Sequence, residues 1–313
     1  METHWNRQTR LAGLARPLLA ENTDLCGKGA IKAYGFNWLT LVDIPVQNRV
    51  VVERHFGITE QPFINIITPG SAAEKAGLRR GDILLAINGE PVPAAISRGS
   101  DSRKRIKAML DDASSAGETV RIKYLRGEFK EREALIDPVT QCKYGIILVK
   151  DDSVNAFADG DNIYVTTGMY RFAETEAELQ TVIAHELAHN SEGHVTKKLG
   201  NYLLGSIIDV AIAASTGIYT SGLFGNTTSM IFSQSFEREA DYVGMYMLER
   251  ADVDSSESAN LWRRMAAENR TPGIFNFART HPTTAERFTN LDATYQEIQE
   301  KRRSGQSLYP NRR

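Results

Sequence analysis

The sequence predicts an α+β protein: a small β-rich module followed by a mainly helical domain with a small β-sheet of its own. Three observations predict it. Between about residues 45 and 136, short apolar runs are separated by Gly-containing turns, the pattern of compact β structure. Beyond residue 137 a short strand region gives way to long stretches of helical period. The chain has 313 residues, 42% hydrophobic and 24% charged, enough for two domains that each bury a core. Three zones follow, residues 1–44, 45–136 and 137–313.

In the first zone, residues 8–21 read as an amphipathic helix ending near Asn22. It is too short to fold alone, so residues 1–44 are expected to pack on the C-terminal domain as a lead-in. METHWNRQTRLAGLARPLLAEN lacks the uninterrupted apolar core of a signal peptide, because Arg10 and Arg16 break it. Lys plus Arg (37) nearly balances Asp plus Glu (39), so no basic field exists to attract nucleic acid, which is excluded as a partner. The two cysteines, Cys26 and Cys142, lack the close spacing of a metal knuckle or a redox dithiol. Either both are buried thiols, or they pair in an oxidising compartment and clamp the base of an inserted middle zone.

The middle zone contains PFINIITPGSAAEKAGLRRGDILLAINGEPV at 62–92. FINII reads as a strand, PGSAAEKAGL as a turn and short helix ended by Gly77, and GDILLAINGEPV as a hairpin bending at Asn88-Gly89. SRKRIKAMLDDA (102–113) supplies a helix with Ile106, Met109 and Leu110 on one face, and TVRIKYLRG and EREALI close the module as strands. These segments resemble the PDZ domain, a β-sandwich or barrel with helices, in its bacterial protease-associated form. The resemblance implies that a C-terminal peptide adds as a strand beside the helix while backbone N–H groups of a short loop hold its carboxylate. By resemblance that loop is Phe56-Gly57-Ile58. The alternative is a spacer whose loop only packs.

The third zone carries the chemistry. AETEAELQTVIAHELAHN (173–190) has helical period, with Leu179, Ile183 and Leu187 spaced by four. His185 and His189 then lie about 40° apart on adjacent turns and can share one zinc, with Glu186 beside them as general base. A third histidine, His194, is out of register with the HEXXHxxGxxH spacing of metzincins. If the helix continues, His194 lies about 140° from His189 and points away from the metal. The better third ligand is Glu237 in FEREADYVGMYMLER (236–250), which shares a helix face with Asp241 four residues on. Asp241 is placed to hold a ligand's second hydrogen bond, whereas Glu239, about 160° from Glu237, falls on another face.

The run NAFADGDNIYVTTGMYRFAETEAELQTVIAHELAHNSEGH, then EREADYVG, then THPTTAERF, resembles the HtpX and CAAX-prenyl-protease family of gluzincin-type zinc metallopeptidases, notably its soluble bacterial envelope members. The likeness covers most of 137–290. It implies zinc held by His185, His189 and Glu237, with Glu186 as base and Asp241 behind the ligands. It also implies a substrate-pairing edge strand before the HEXXH helix, here Asn155, Ala156 and Phe157.

His281 precedes Pro282, which keeps it out of helical geometry, and Thr283 with Glu286 forms a capping box for the next helix. From that loop His281 either hydrogen-bonds the reacting oxyanion or takes the fourth zinc position in a resting state. Arg287 is expected to bind a carbonyl or carboxylate of the substrate. The apolar run 203–225 is interrupted by Asp209, so it reads as a flap over the site or a peripheral membrane contact rather than a span. Together these features imply a PDZ-containing zinc endopeptidase acting on extended or misfolded polypeptides in protein quality control. Periplasmic or envelope placement rests on the resemblance and the cysteine pair. The alternative is a PDZ-type binding or chaperone protein with a structural or closed metal site.

Overall fold

The computed structural model of the chain describes residues 1–95, 102–127, 130–199, 232–268, 277, 281 and 284–311. These fall into two compact units. The first holds Met1–Arg16 and Ile31–Gln141; the second holds Pro17–Ala30 and the described residues from Cys142 onward. The α+β expectation holds in both.

In chain order the first unit contains the start of α1 (Glu2–Glu21), β1 (Ala30–Ala33), β2 (Phe36–Leu39), α2 (Val46–Phe56), β3 (Phe63–Ile67), α3 (Ala72–Lys75), β4 (Ile83–Ile87), β5 (Glu90–Pro91), α4 (Ser102–Ala116), β6 (Val120–Arg126), β7 (Lys130–Ile136) and β8 (Val139–Cys142). Five strands form an antiparallel sheet in the order β2-β3-β4-β6-β7, and β5 pairs β4. The β4–β5 bend takes positive φ at both Asn88 (51°) and Gly89 (85°), the geometry that Asn-Gly favours in a two-residue hairpin. α4 buries Ile106, Leu110 and Ala113 against Ile64, Leu84 and Ile122 of the sheet, with Met109 at the margin. β1 pairs with β8, a two-stranded ribbon apart from the main sheet.

Two features differ from the sequence reading. β2 joins the sheet although it lies upstream of residue 45. In addition, Phe56-Gly57-Ile58 is not an open loop. Phe56 ends α2, and Gly57, at φ 67°, caps it by donating its N–H to the Glu53 carbonyl at 2.9 Å. Ile58 is buried among Trp5, Leu39, Ile44, Val52 and Phe63. Thus Gly57 N–H is committed to the helix cap and the Ile58 side chain to the core. α2 is hard to anticipate because VQNRVVVERHF is rich in β-branched valine, a weak helix former.

The second unit is built from β9 (Gly145–Val149), β10 (Ala156–Ala158), β11 (Asn162–Thr166), α5 (Thr167–Phe172), α6 (Glu176–Ser191), α7 (His194–Leu199), α8 (Gln234–Arg250), α9 (Ser258–Glu268) and α10 (Ala285–Arg303). Its sheet runs β10-β11-β9, with β10 antiparallel to β11 and β11 parallel to β9. α6 packs against β10 and β11 and also against α8. It is therefore buried from Glu178 to Ser191 on every side, not along one stripe. A Cβ on Gly244 of α8 would stand 3.2 Å from the Ala184 carbonyl oxygen, so this glycine lets α6 and α8 approach backbone to backbone.

Cys26 and Cys142 are joined by a disulfide across a sequence separation of 116, with Cα atoms 5.7 Å apart. Of the two alternatives left open by the sequence, the structure contains the bonded pair. The whole of 203–225 lies outside the described residues, as do Pro282 and Thr283. Thr284, one residue later than expected, caps α10 by accepting the Arg287 N–H. Among the described residues no helix is long and apolar enough to cross a membrane.

Candidate metal centre

Local sequence explains how each donor is placed. Thr175 caps α6 by accepting the Glu178 N–H, and Glu176 and Glu178 in the first turn complement the helix dipole. His185, Glu186 and His189 then fall in the later turns. Ser233 caps α8 by accepting the Phe236 N–H, which puts Glu237 in that helix's first turn, where a carboxylate is favoured. His281 arrives ahead of α10, its N–H donating to the Phe277 carbonyl at 2.7 Å.

These four side chains meet. His189 Nε2 lies 3.1 Å from His185 Nε2. His281 Nδ1 lies 3.3 Å from His185 Nε2 and 2.9 Å from Glu237 Oε1. The Glu237 oxygens stand 3.5 Å from His189 Nε2 and from His185 Nε2. One donor atom from each of His185, His189, Glu237 and His281 falls within 4.8 Å of all the others, and all four residues are buried. Imidazole nitrogens and a carboxylate oxygen are the donors that zinc accepts.

The surroundings fit a cation. Both Glu186 oxygens and His281 Nε2 are buried without a hydrogen-bond partner, a costly arrangement for polar atoms unless they face a bound group. Glu186 Oε1 stands 3.5 Å from His281 Nε2, so the carboxylate borders the cluster without belonging to it. Burial raises the Glu186 pKa, against the pull of the nearby histidines. Burial also opposes ionisation of Glu237, yet His281, His185 and His189 hold it well below the ordinary carboxylate range. Burial holds His189 well below the usual imidazole value. At His185 burial is outweighed by Asp241 and Glu237, which push its pKa up to about 9.

Behind the donors, Asp241 Oδ1 lies 3.0 Å from His185 Nδ1. Asp241 accepts two hydrogen bonds from Arg287, from Nε at 2.7 Å and Nη2 at 2.8 Å, while Arg287 Nη1 stands 3.0 Å from Glu237 Oε2. Arg287 is 2% exposed and lies over the Trp262 ring at 5.5 Å. Expected at the substrate, it instead holds two carboxylates of the centre in place. Aromatic rings brace the histidines: Phe232 stacks on His189 at 4.0 Å, and Phe277 stacks on His281 at 4.2 Å. No sequence pattern singles out Trp262, Phe232 or Phe277 for this work.

His194 is the main surprise. α6 stops at Ser191 and Gly193 takes φ 68°, so the helix does not continue and α7 begins at His194 itself. The imidazole returns behind His189, with Nδ1 at 2.9 Å from His189 Nδ1 and Nε2 at 3.0 Å from Glu239 Oε2.

Asn155, Ala156 and Phe157 lie at β10, an edge of the three-stranded sheet, and all are buried. Asn155 donates its N–H to Thr166 Oγ1 at 3.1 Å, and Phe157 stacks on Tyr164 at 4.7 Å. Just upstream, the Val154 carbonyl accepts the Phe277 N–H at 3.1 Å, which ties the strand's approach to the residue that stacks on His281.

Comparison with known proteins agrees with this geometry. Residues 132–295, just over half of the chain, match the model of peptidase family M48, and residues 63–126 match that of the PDZ domain. The chain belongs to peptidase family M48. The resemblance to HtpX-type and CAAX-prenyl-protease metallopeptidases, with a PDZ domain, is thereby borne out, and family M48 is metal-dependent. This M48 protein is similar to the mitochondrial metalloendopeptidase OMA1 of Schizosaccharomyces pombe, 30% identical over 177 residues that cover 55% of this chain and 52% of that one. It is also similar to the beta-barrel assembly-enhancing proteases of Yersinia pestis (29% identity, 39% of this chain, 28% of that one) and Escherichia coli K12 (27%, 47% and 33%). The matches thus span about half the length of the first of these relatives and a third or less of the others.

Proposed function

We propose that the chain is a zinc-dependent endopeptidase that hydrolyses peptide bonds of extended or misfolded polypeptides. His185, His189 and Glu237 are its ligands and Glu186 its general base. The observation that carries this reading is the partnerless Glu186 carboxylate, buried against a cluster of N and O donors in a member of family M48. His185, His189 and Glu237 would hold the zinc, which when bound would supply a Lewis acid able to make water nucleophilic near neutral pH. Glu186 accepts the proton from that water and delivers it to the leaving amine, a task suited to a carboxyl group whose pKa burial has raised. Asp241 and Arg287 keep His185 and Glu237 aimed.

Of the two roles open to His281, its Nδ1 position among the donors favours the fourth ligand of a closed resting state. Substrate then pairs along the β10 edge at Asn155–Phe157, and the His281 imidazole gives up its place among the donors to admit it. In the PDZ unit, the edge strand β2 is the better place for peptide addition than Phe56-Gly57-Ile58. An added peptide would take over the Trp38 backbone groups from side chains, the N–H from Asn37 Oδ1 at 2.7 Å and the carbonyl from Arg103 of α4 at 3.3 Å. The disulfide and the relatives named as beta-barrel assembly-enhancing proteases support a role in envelope quality control. The second reading, a peptide-binding or chaperone protein with a closed metal site, draws support from the same His281 position.

The test is to measure bound zinc and degradation of an unfolded protein by wild type and Glu186→Gln. Stoichiometric zinc in both, with cleavage only in wild type, is expected. Stoichiometric zinc without any Glu186-dependent cleavage decides for the binding-protein reading.

A further inference from the structure

We propose that His194 and Glu239 form a positioning relay behind His189, fixing the tautomer and tilt of that imidazole so that its Nε2 lone pair faces the metal. The inference rests on the reading of His189 as a ligand.

Hydrogen-bond directions leave one arrangement. His189 Nε2 faces the donor cluster, 3.1 Å from His185 Nε2 and 3.5 Å from Glu237 Oε1. A nitrogen that ligates a metal carries no proton, so the His189 proton sits on Nδ1. That N–H points at His194 Nδ1, 2.9 Å away, which must therefore accept. The His194 proton is then on Nε2 and is donated to Glu239 Oε2 at 3.0 Å, and a carboxylate can only accept. Each ring nitrogen is used once. Without Glu239, His194 is free to take the other tautomer, which would set two N–H groups against each other. Glu239 selects the state in which His194 supports His189.

Packing holds the relay in line. The His194 ring stacks on Phe236 at 4.4 Å and 13°, and meets His189 edge-on at 5.0 Å and 72°. His185 has its counterpart in Asp241, but there the carboxylate is in direct contact with Nδ1 and almost fully buried. On the His189 side an imidazole is interposed, and the carboxylate that ends the chain is 46% exposed. The metal centre is thereby connected to a surface charge.

The experiment compares wild type, His194→Ala, Glu239→Gln and Glu239→Leu as purified full-length chains. Zinc affinity is read by competition with a chromophoric chelator, geometry by the absorption spectrum of the cobalt(II) form, and stability of the metal-free protein by urea unfolding. Loss of a support behind a ligating histidine typically weakens metal binding by about 10- to 100-fold, the drop expected for His194→Ala and Glu239→Leu. Both are expected to shift the cobalt bands. Glu239→Gln, whose amide oxygen still accepts from Nε2–H, is expected to recover most of the affinity. Wild-type affinity and an unchanged cobalt spectrum in all three variants, with only the unfolding midpoint altered, overturn the relay. Should His194→Ala not fold, Glu239→Leu at the half-exposed end carries the same decision. A wild-type protein that binds no zinc overturns the metal centre itself, and the relay with it.

Discussion

Arg287 grips Asp241 through two parallel hydrogen bonds, 2.7 Å from Nε and 2.8 Å from Nη2, with both side chains buried. Removing the guanidinium strands Asp241 and Glu237 without their cation. Breaking such a pair from one side costs about 3–5 kcal/mol. Arg287→Met is therefore expected to lower urea stability by that order and to weaken zinc binding. Arg287→Lys restores the charge but not the fork, so it is expected to recover only part of both. A variant with wild-type unfolding and wild-type zinc affinity contradicts this account.

His281 places Nδ1 among the donors and Nε2 toward Glu186. If it holds the resting enzyme closed, His281→Ala retains zinc, alters the cobalt(II) spectrum and raises basal cleavage of an unfolded substrate several-fold. Unchanged spectrum and unchanged cleavage together return His281 to a purely structural role.

The Cys26–Cys142 bridge closes a long loop. A disulfide typically contributes about 2–4 kcal/mol, toward the upper end or beyond for a loop as long as this one. The double variant Cys26→Ser/Cys142→Ser is expected to unfold at lower urea by an amount in that range. Thiol titration of the denatured wild type should find no free thiol before reduction and both afterwards; equal counts before and after dispose of the bridge.

Glu178 accepts two hydrogen bonds from Arg264, at 2.6 and 2.8 Å. Burial works against its charge, but Arg264 and the Glu174 and Thr175 contacts hold its pKa below the ordinary 4.5. A depressed carboxylate contributes stability that is fully present above its unfolded pKa and is lost as pH falls through the folded one. Unfolding midpoints measured downward from pH 6 should therefore begin to fall near the ordinary glutamate value of 4.5 and keep falling below it. In Arg264→Met that acid-side decline should be shallower. Parallel curves for the two proteins would show that this pair contributes nothing to acid sensitivity.

Much of the centre was legible in sequence because helical spacing is a strict rule. Histidines four apart must share a face, and that placed His185 and His189 together. Glu237 was legible from a second helix with a carboxylate at its start. Other features depended on what surrounds a residue, which spacing does not encode. Spacing places His194 away from His189 only if the helix continues, and the left-handed turn at Gly193 sends it back toward His189 instead. Arg287 looked like a group for the substrate; an arginine consumed by internal carboxylates has the same sequence signature. In the PDZ unit, the exposed valines Val46, Val50 and Val51 concealed the helix that converts Phe56-Gly57-Ile58 into its cap.

The close approach of Gly244 to Ala184 has a consequence for how an ion would enter. It is a contact between main chains, made without any donor group taking part. It sets the distance between the helix bearing His185 and His189 and the helix bearing Glu237. Small zinc modules assemble their ligands only as the ion binds, and their metal affinity carries the whole entropic cost of folding. A backbone contact of this kind lets the fold meet that cost before the ion arrives. The centre is therefore expected to be preorganised, with zinc loading onto an already folded chain rather than driving its folding.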